Sequence, residues 1–305
     1  MAGDPYAVLL MAYGGPETLD DVEAYLRDLR GGRPTSPELV EEIRRHYAQI
    51  GGGSPLRRWT EAQAAALAAS LKLPVYVGMR HWHPFIQDTV ERIVSDEQRR
   101  VVAIAMAPHY STLSVGIYEK QLLEAAHGRL EFALVRSWGE QPQYLEAVRE
   151  QLAQTLQRFP EPLEVQVVFT AHSLPRSILA TGDPYPDELQ RTAQALAARL
   201  RLRPDQWYVA WQSAGRRPEP WLEPDAAGVL ERLAAQRHHD VIVAPVGFVC
   251  DHVEVLYDVD VEYQALARRL GLRLERPRSL NDDPLLIAAL DDLARRAARE
   301  RGWLA

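Results

Sequence analysis

Val8-Leu-Leu-Met-Ala-Tyr13-Gly-Gly-Pro16 and Val167-Val-Phe-Thr-Ala-His172-Ser-Leu-Pro175 decide how this chain is read, because the second stretch nearly repeats the first. Both are apolar runs that end in Ala, then a polar or aromatic residue, then a turn with proline. The echo continues downstream. His83-Pro84-Phe85 is matched by Glu219-Pro220-Trp221, and Val102-Ala-Ile-Ala-Met-Ala-Pro108 by Val241-Ile-Val-Ala-Pro245. A repeated strand–turn–helix unit implies two similar lobes facing each other across a cleft. Tyr13 and His172 then hold equivalent places, one on each lobe, at the ends of their first strands.

Working outward, short β-branched runs alternate with amphipathic stretches. Strands are expected at 7–12, 75–78, 101–107, 132–135, 165–170, 207–211, 241–246 and 272–275. Between them, Leu19, Val22, Tyr25, Leu26 and Leu29 fall at helical spacing. Ser36-Pro37 reads as an N-cap followed by proline at the first helical position. Thr60 with Gln63 reads as a capping box. Residues 283–301 read as a long amphipathic helix leaning back across the lobes. The alternation predicts an α/β fold with four mostly parallel strands per lobe. The lobes are expected at 1–145 and 146–305.

The two copies differ in length. The first has about two dozen extra residues between the matched motifs. The extra segment is expected at about 30–56, a helix between Gly31-Gly32 and Gly51-Gly52-Gly53. Glycines at both ends suggest an element hinged over the cleft.

Composition narrows the function classes. Of 305 residues, 47% are hydrophobic and 25% charged, which is ordinary for a globular protein with a sizeable core. A net charge of −7 argues against a nucleic-acid surface. The one cysteine, Cys250, excludes a disulfide framework and an all-cysteine iron–sulfur cluster, and agrees with a reducing cytoplasm. Asp4 and its neighbours do not read as a signal peptide, and no apolar run is long enough to span a bilayer.

Chemistry concentrates at strand ends, where α/β folds bind ligands. His172 directly follows one strand. Another is followed by Cys250-Asp-His252-Val-Glu254-Val-Leu-Tyr-Asp258-Val-Asp-Val-Glu262. If a helix begins near His252, Glu254, Asp258 and Glu262 form one acidic stripe on a single face. Carboxylates four apart repel unless a cation is present. Histidine and carboxylates without thiolate suit a divalent ion bound transiently rather than a closed zinc site. His81 and His83 add imidazoles on the other lobe.

Together with these segments, Tyr13-Gly-Gly-Pro, Ile50-Gly-Gly-Gly-Ser54-Pro-Leu, Gly78-Met-Arg-His81, Ala107-Pro-His-Tyr-Ser111, Ala171-His-Ser-Leu-Pro175, Gly182-Asp-Pro-Tyr-Pro186, Trp211-Gln-Ser213, Glu219-Pro-Trp-Leu222 and Pro245-Val-Gly-Phe-Val249 resemble ferrochelatase, in its short bacterial form. The resemblance runs from about Tyr6 to the last helix. It implies two Rossmann-type lobes that hold a porphyrin and insert Fe2+, a substrate rather than a cofactor. It implies His172 and Glu254 as the catalytic, metal-handling pair, with Asp258 and Glu262 leading metal or protons inward. Tyr13 is implied on the opposite porphyrin face. Arg30, Tyr47, Ser54 and Tyr118 match porphyrin contacts. Relatives often have arginine before Tyr47, where this chain has His46 after Arg45, and often lysine where this chain has Arg80.

The short form is associated with coproporphyrin III, whose four propionates suit a lip bearing Arg30, Arg33 and Arg45. The single cysteine and the absence of a C-terminal extension point away from the cluster-bearing form. The implied protein is a cytoplasmic monomer, with transient partners in heme biosynthesis. Protoporphyrin IX as substrate, a cobalt or nickel chelatase of another tetrapyrrole, and a non-catalytic tetrapyrrole carrier remain as alternatives. The residues also leave open which of His172 and Glu254 accepts protons and which binds iron.

Overall fold

Eight strands form in this computed structural model, which describes residues 6–216 and 218–304. The reading of Asp4 and its neighbours concerns positions outside the described residues. The strands are β1 (Ala7–Ala12), β2 (Val75–Met79), β3 (Arg100–Ala105), β4 (Glu131–Val135), β5 (Gln166–His172), β6 (Trp207–Gln212), β7 (Asp240–Ala244) and β8 (Arg273–Glu275). Each of the eight expected runs forms a strand, with ends moved by up to two residues.

The repeat is architectural. One sheet has the order β2-β1-β3-β4 and the other β6-β5-β7-β8, and every pairing is parallel. Parallel sheets need both faces covered, which is why β1 reads Ala-Val-Leu-Leu-Met-Ala and is buried throughout. Val8 and Leu10 pack with Leu67, Leu71 and Trp138, while Leu9 and Met11 pack with Val90, Ile93 and Leu122. In the second sheet Val167 and Phe169 face the same large core as Val8 and Leu10, and Val168 faces Val229, Leu230 and Leu233.

That shared core fixes the two lobes against each other. Tyr144 and Leu145 of the helix Pro142–Leu156, and Leu286 to Ala298 of the helix Pro284–Glu300, belong to it. The last helix packs on Pro142–Leu156 and on Leu56–Leu71 of the first lobe, so it leans back across the lobes as expected. The expected division at 145/146 falls inside the helix Pro142–Leu156.

The segment 30–56 holds a helix, Pro37–Gln49, capped by Ser36, whose Oγ accepts from Leu39 N at 3.4 Å. Gly31, Gly32, Gly51 and Gly52 flank it at φ values of 63°, 84°, 108° and 94°, a region that favours glycine. The capping box at Thr60 is corrected. The helix begins a turn earlier, at Leu56, so Thr60 is interior and its Oγ1 donates to Leu56 O at 2.9 Å. Gln63 instead donates to Asn281 O at 2.7 Å. No helix among the described residues is long and apolar enough to cross a membrane.

Candidate active site

In each sheet the first strand lies between the second and third, so the connections leave it in opposite directions. A crevice opens there, at the carboxyl ends of β1 and β3 and of β5 and β7. The two crevices face one another and form one cavity. Ala12, Tyr13, Met106 and Ala107 line it from the first lobe, and His172, Leu174 and the 247–250 and 252–254 segments from the second. Tyr13 follows β1 directly and His172 closes β5, the equivalent places implied by the repeat.

His172 Nδ1 lies 2.9 Å from a Glu254 carboxylate oxygen. Both residues are held from behind. Tyr185 Oη donates to the His172 carbonyl at 2.9 Å. Thr170 Oγ1 donates to Gln212 Oε1 at 2.7 Å, and Gln212 Nε2 donates to the Glu254 carbonyl at 2.6 Å. The parallel register His172↔Gln212 makes that relay possible. Burial would raise the Glu254 carboxyl, but His172 beside it, by charge and hydrogen bond, holds it well below the usual range. Burial likewise opposes charge on His172, and the Glu254 carboxylate overrides it, so the imidazole is raised. With Glu254 ionised, Nδ1–H is the donor and Nε2 is left as the nitrogen for chemistry.

The expectation of one straight acidic stripe is corrected. After the short helix Val253–Leu256 the backbone widens into a π-helical turn, Asp258–Tyr263, before Gln264–Leu270 resumes α geometry. Tyr257 O accepts from both Val261 N and Glu262 N at 3.0 Å. The wider turn lets Val259 enter the second-lobe core while Asp258 meets the Ser213 hydroxyl. The acids still grade outward: Glu254 lines the cavity, Asp258 is half-buried, and Glu262 is exposed. Burial, then the neighbouring Glu254 charge, pushes Asp258 up to about 7. Burial and Glu42 raise Glu262. Among the described residues, no group of three or more His, Cys, Asp or Glu side chains converges as a metal site.

Other expected residues divide between the cavity and its mouth. Tyr47, Ser54 and Tyr118 line the cavity with Tyr13. Arg30 is the exposed C-cap of the helix Val22–Leu29 and lies outside the lining. His46 also lies outside it. Its ring stacks on Tyr257 at 3.8 Å and 15°, and its Nε2 is 4.0 Å from Glu42. Glu42 in turn makes a two-pronged ion pair with Arg216 of the second lobe. The helix Pro37–Gln49 therefore straps the mouth, and Val253 of the second lobe also packs against the apolar cluster that holds its Val40 and Tyr47.

Sequence reading passed over several lining residues. Arg80 extends from β2, with its guanidinium 5.5 Å from the Tyr13 ring and 5.9 Å from the Tyr118 ring. Its signal was the arginine-for-lysine difference. Tyr185 and Phe248 sit inside the quoted Gly182–Pro186 and Pro245–Val249 motifs, and Tyr25 carried no signal beyond helical spacing. His252 lines the cavity with Nδ1 3.0 Å from the Cys250 carbonyl, and burial lowers its pKa. His81 lies 2.7 Å from Asp28 and 4.8 Å from the Tyr13 ring.

Comparison with known proteins shows the family and the fold. The family model described as Ferrochelatase matches residues 5–298. A ferrochelatase of Deinococcus radiodurans is 43% identical, over 97% of this chain and 97% of its own. A coproporphyrin III ferrochelatase of Geobacillus thermodenitrificans is 39% identical, over 98% of each chain. Among solved structures, the sirohydrochlorin chelatase of Bacillus subtilis subspecies spizizenii in complex with cobalt superposes with a TM-score of 0.63. It is 12% identical, covering 97% of this chain and 96% of that one, and shares the fold.

Proposed function

The chain belongs to the ferrochelatase family and is a porphyrin metal chelatase that inserts Fe2+; we propose that its porphyrin is coproporphyrin III, giving coproheme. The observation that carries this choice is at the mouth of the cleft. Arg30 and Arg45 are exposed and form no ion pair among the described residues, while the neighbouring His46 is turned away onto Tyr257. Free guanidinium forks suit propionates. A four-propionate ring uses more of them than a two-propionate ring. The coproporphyrin III ferrochelatases among the relatives support the same choice.

Metallation replaces two pyrrole protons by one divalent ion. The ring must bend to present its nitrogen lone pairs, and a cleft that fits the bent ring favours the transition state over the flat substrate. In this reading His172 Nε2 takes a pyrrole proton, and the Glu254 carboxylate steadies the imidazolium through Nδ1–H. Asp258 and Glu262 continue the line of carboxylates to solvent, a path for protons outward and Fe2+ inward. Tyr13 faces the other side of the ring. Tyr47, Ser54 and Tyr118 hold the macrocycle, and Arg30 and His46 act at the rim. Selectivity for iron does not come from intrinsic affinity, because Cu2+ would bind these donors more tightly. We take the working unit to be a cytoplasmic monomer of lobes 1–145 and 146–305.

The test is an anaerobic absorbance assay of Fe2+ insertion into coproporphyrin III and protoporphyrin IX. The expected result is a higher kcat/KM for coproporphyrin III, with the gap narrowed in Arg30→Ala and Arg45→Ala. A preference for protoporphyrin IX untouched by either change overturns the substrate choice.

A further inference from the structure

We propose that Arg80 is a specificity-determining residue, a guanidinium that receives a rim carboxylate of the porphyrin which a two-propionate ring does not supply at that place. The inference rests on the coproporphyrin reading above and deepens it.

Three observations carry it. First, Arg80 is firmly placed. Its N–H donates to Ala12 O at 2.9 Å, and the next residue donates to Tyr13 O at 2.8 Å. A Cβ on Gly14 would lie 2.8 Å from Trp82 N, so the Arg80–Trp82 backbone packs directly against the turn that carries Tyr13. Second, the side chain lines the cavity and has no anionic partner. Among the described residues it forms no ion pair, and its Nε is buried without a hydrogen-bond acceptor. The nearby carboxylates are taken, Asp28 by His81 and Glu254 by His172. Third, what it does meet is the rings of Tyr13 and Tyr118, both cavity residues.

A partly desolvated cation over two ring faces is only partly compensated. Arginine's five donors in a planar fork match a carboxylate better than a lysine would. An anion arriving with the substrate completes the site. In coproporphyrin III every pyrrole carries one propionate, so a carboxylate lies near Arg80 whichever edge of the ring approaches it. In a two-propionate ring both carboxylates sit on one edge. With that edge at the arginine-bearing mouth, Arg80 meets only an alkyl or vinyl group. The partly desolvated cation then lacks its partner, which turns a missing contact into discrimination.

The test is equilibrium titration of the purified protein by porphyrin fluorescence. It uses coproporphyrin III and the two-propionate mesoporphyrin IX, with the wild type, Arg80→Gln and Arg80→Lys. The expected result is a Kd for coproporphyrin III raised about tenfold or more in Arg80→Gln, as for loss of a charge-assisted pair. Mesoporphyrin IX should change by less than about twofold. Arg80→Lys should recover part of the coproporphyrin affinity. A variant that is merely misfolded weakens both porphyrins alike, and Arg80→Lys, which keeps charge and length, then gives the answer. Equal weakening of both porphyrins by a folded variant, or no weakening, overturns the proposal. If the wild type metallates protoporphyrin IX better, the substrate reading falls. The Arg80 assignment then still stands if its loss penalises only the four-propionate ring.

Discussion

His46 of the first lobe lies flat on Tyr257 of the second, ring on ring at 3.8 Å. The contact does two things. It draws the helix Pro37–Gln49 over the cleft, and it presses on the residue whose carbonyl accepts both bonds of the π-helical turn. A strap at the mouth is thereby coupled to the acids beneath it.

The first prediction concerns that strap. Arg216 is exposed and Glu42 only half-buried, so breaking their pair with Glu42→Gln should leave Tm nearly unchanged. Porphyrin association and release should both quicken, because one polar anchor on the second lobe is gone. His46→Ala removes the ring stack on Tyr257, and the double variant should release porphyrin faster than either alone. Stopped-flow fluorescence measures the rates.

The second concerns how the lip is anchored. A Cβ on Gly53 would sit 1.9 Å from the Glu17 carbonyl oxygen, a backbone atom that cannot turn aside. Gly53→Ala should therefore cost about 1–3 kcal/mol of stability, the usual price of overpacking. It should also displace Ser54, whose N–H donates to Pro16 O at 2.7 Å. Weaker porphyrin binding should accompany the lower denaturation midpoint. Gly31→Ala, where nothing lies within 4 Å, meets only its positive φ and should leave binding intact.

The third is a pH dependence of stability. His109 is buried, and its Nε2 is 2.9 Å from Thr192 Oγ1, which itself donates to Gly139 O. Nε2 is thus the donor, and Nδ1 is buried without a partner. Burial, helped by Arg191, depresses the imidazole to about 3. Between about 3 and 6.5 the unfolded chain binds a proton here that the folded chain refuses. Stability from this residue is complete above pH 6.5 and falls with acidification, by about 1.4 kcal/mol per pH unit at most. Asp258, raised to about 7, works in the opposite sense, gaining its proton on folding. The readout is therefore the difference in slope between wild type and His109→Gln from pH 6.5 to 5 in urea titrations. Equal slopes would contradict the buried neutral imidazole.

Much of this was legible in the sequence. Buried parallel strands are continuous apolar runs, so all eight announced themselves, and the repeat of Tyr13 and His172 located both crevices. The π turn was not legible, because four-apart spacing looks the same whether the backbone stays α-helical or widens. Its cause is the burial of Val259 against the second-lobe core, a tertiary fact. Thr60 failed as a cap for a like reason. Thr–x–x–Gln also fits a helix interior, and Gln63 is engaged with Asn281 from the far end of the chain. Arg80 and the turning of His46 onto Tyr257 depend on which neighbours are already paired, and a single sequence does not record that.

The fourth prediction separates charge from shape at the inner acid. Glu254→Gln keeps the side chain's outline and removes the charge that raises His172. Metallation should slow by about a hundredfold or more, within the range for loss of acid–base assistance. The porphyrin Kd should stay nearly unchanged. The pH profile of insertion should move to lower pH, because the imidazole loses the anion that favours its charged form. A change in affinity alone would place Glu254 in substrate binding.

The most direct measurement of the central claim is single-turnover Fe2+ insertion into enzyme-bound coproporphyrin III, wild type against His172→Ala, under anaerobic conditions. The account predicts that His172→Ala binds the porphyrin with nearly wild-type Kd and fails to metallate it. Insertion by the folded, porphyrin-loaded variant at the wild-type rate would contradict it.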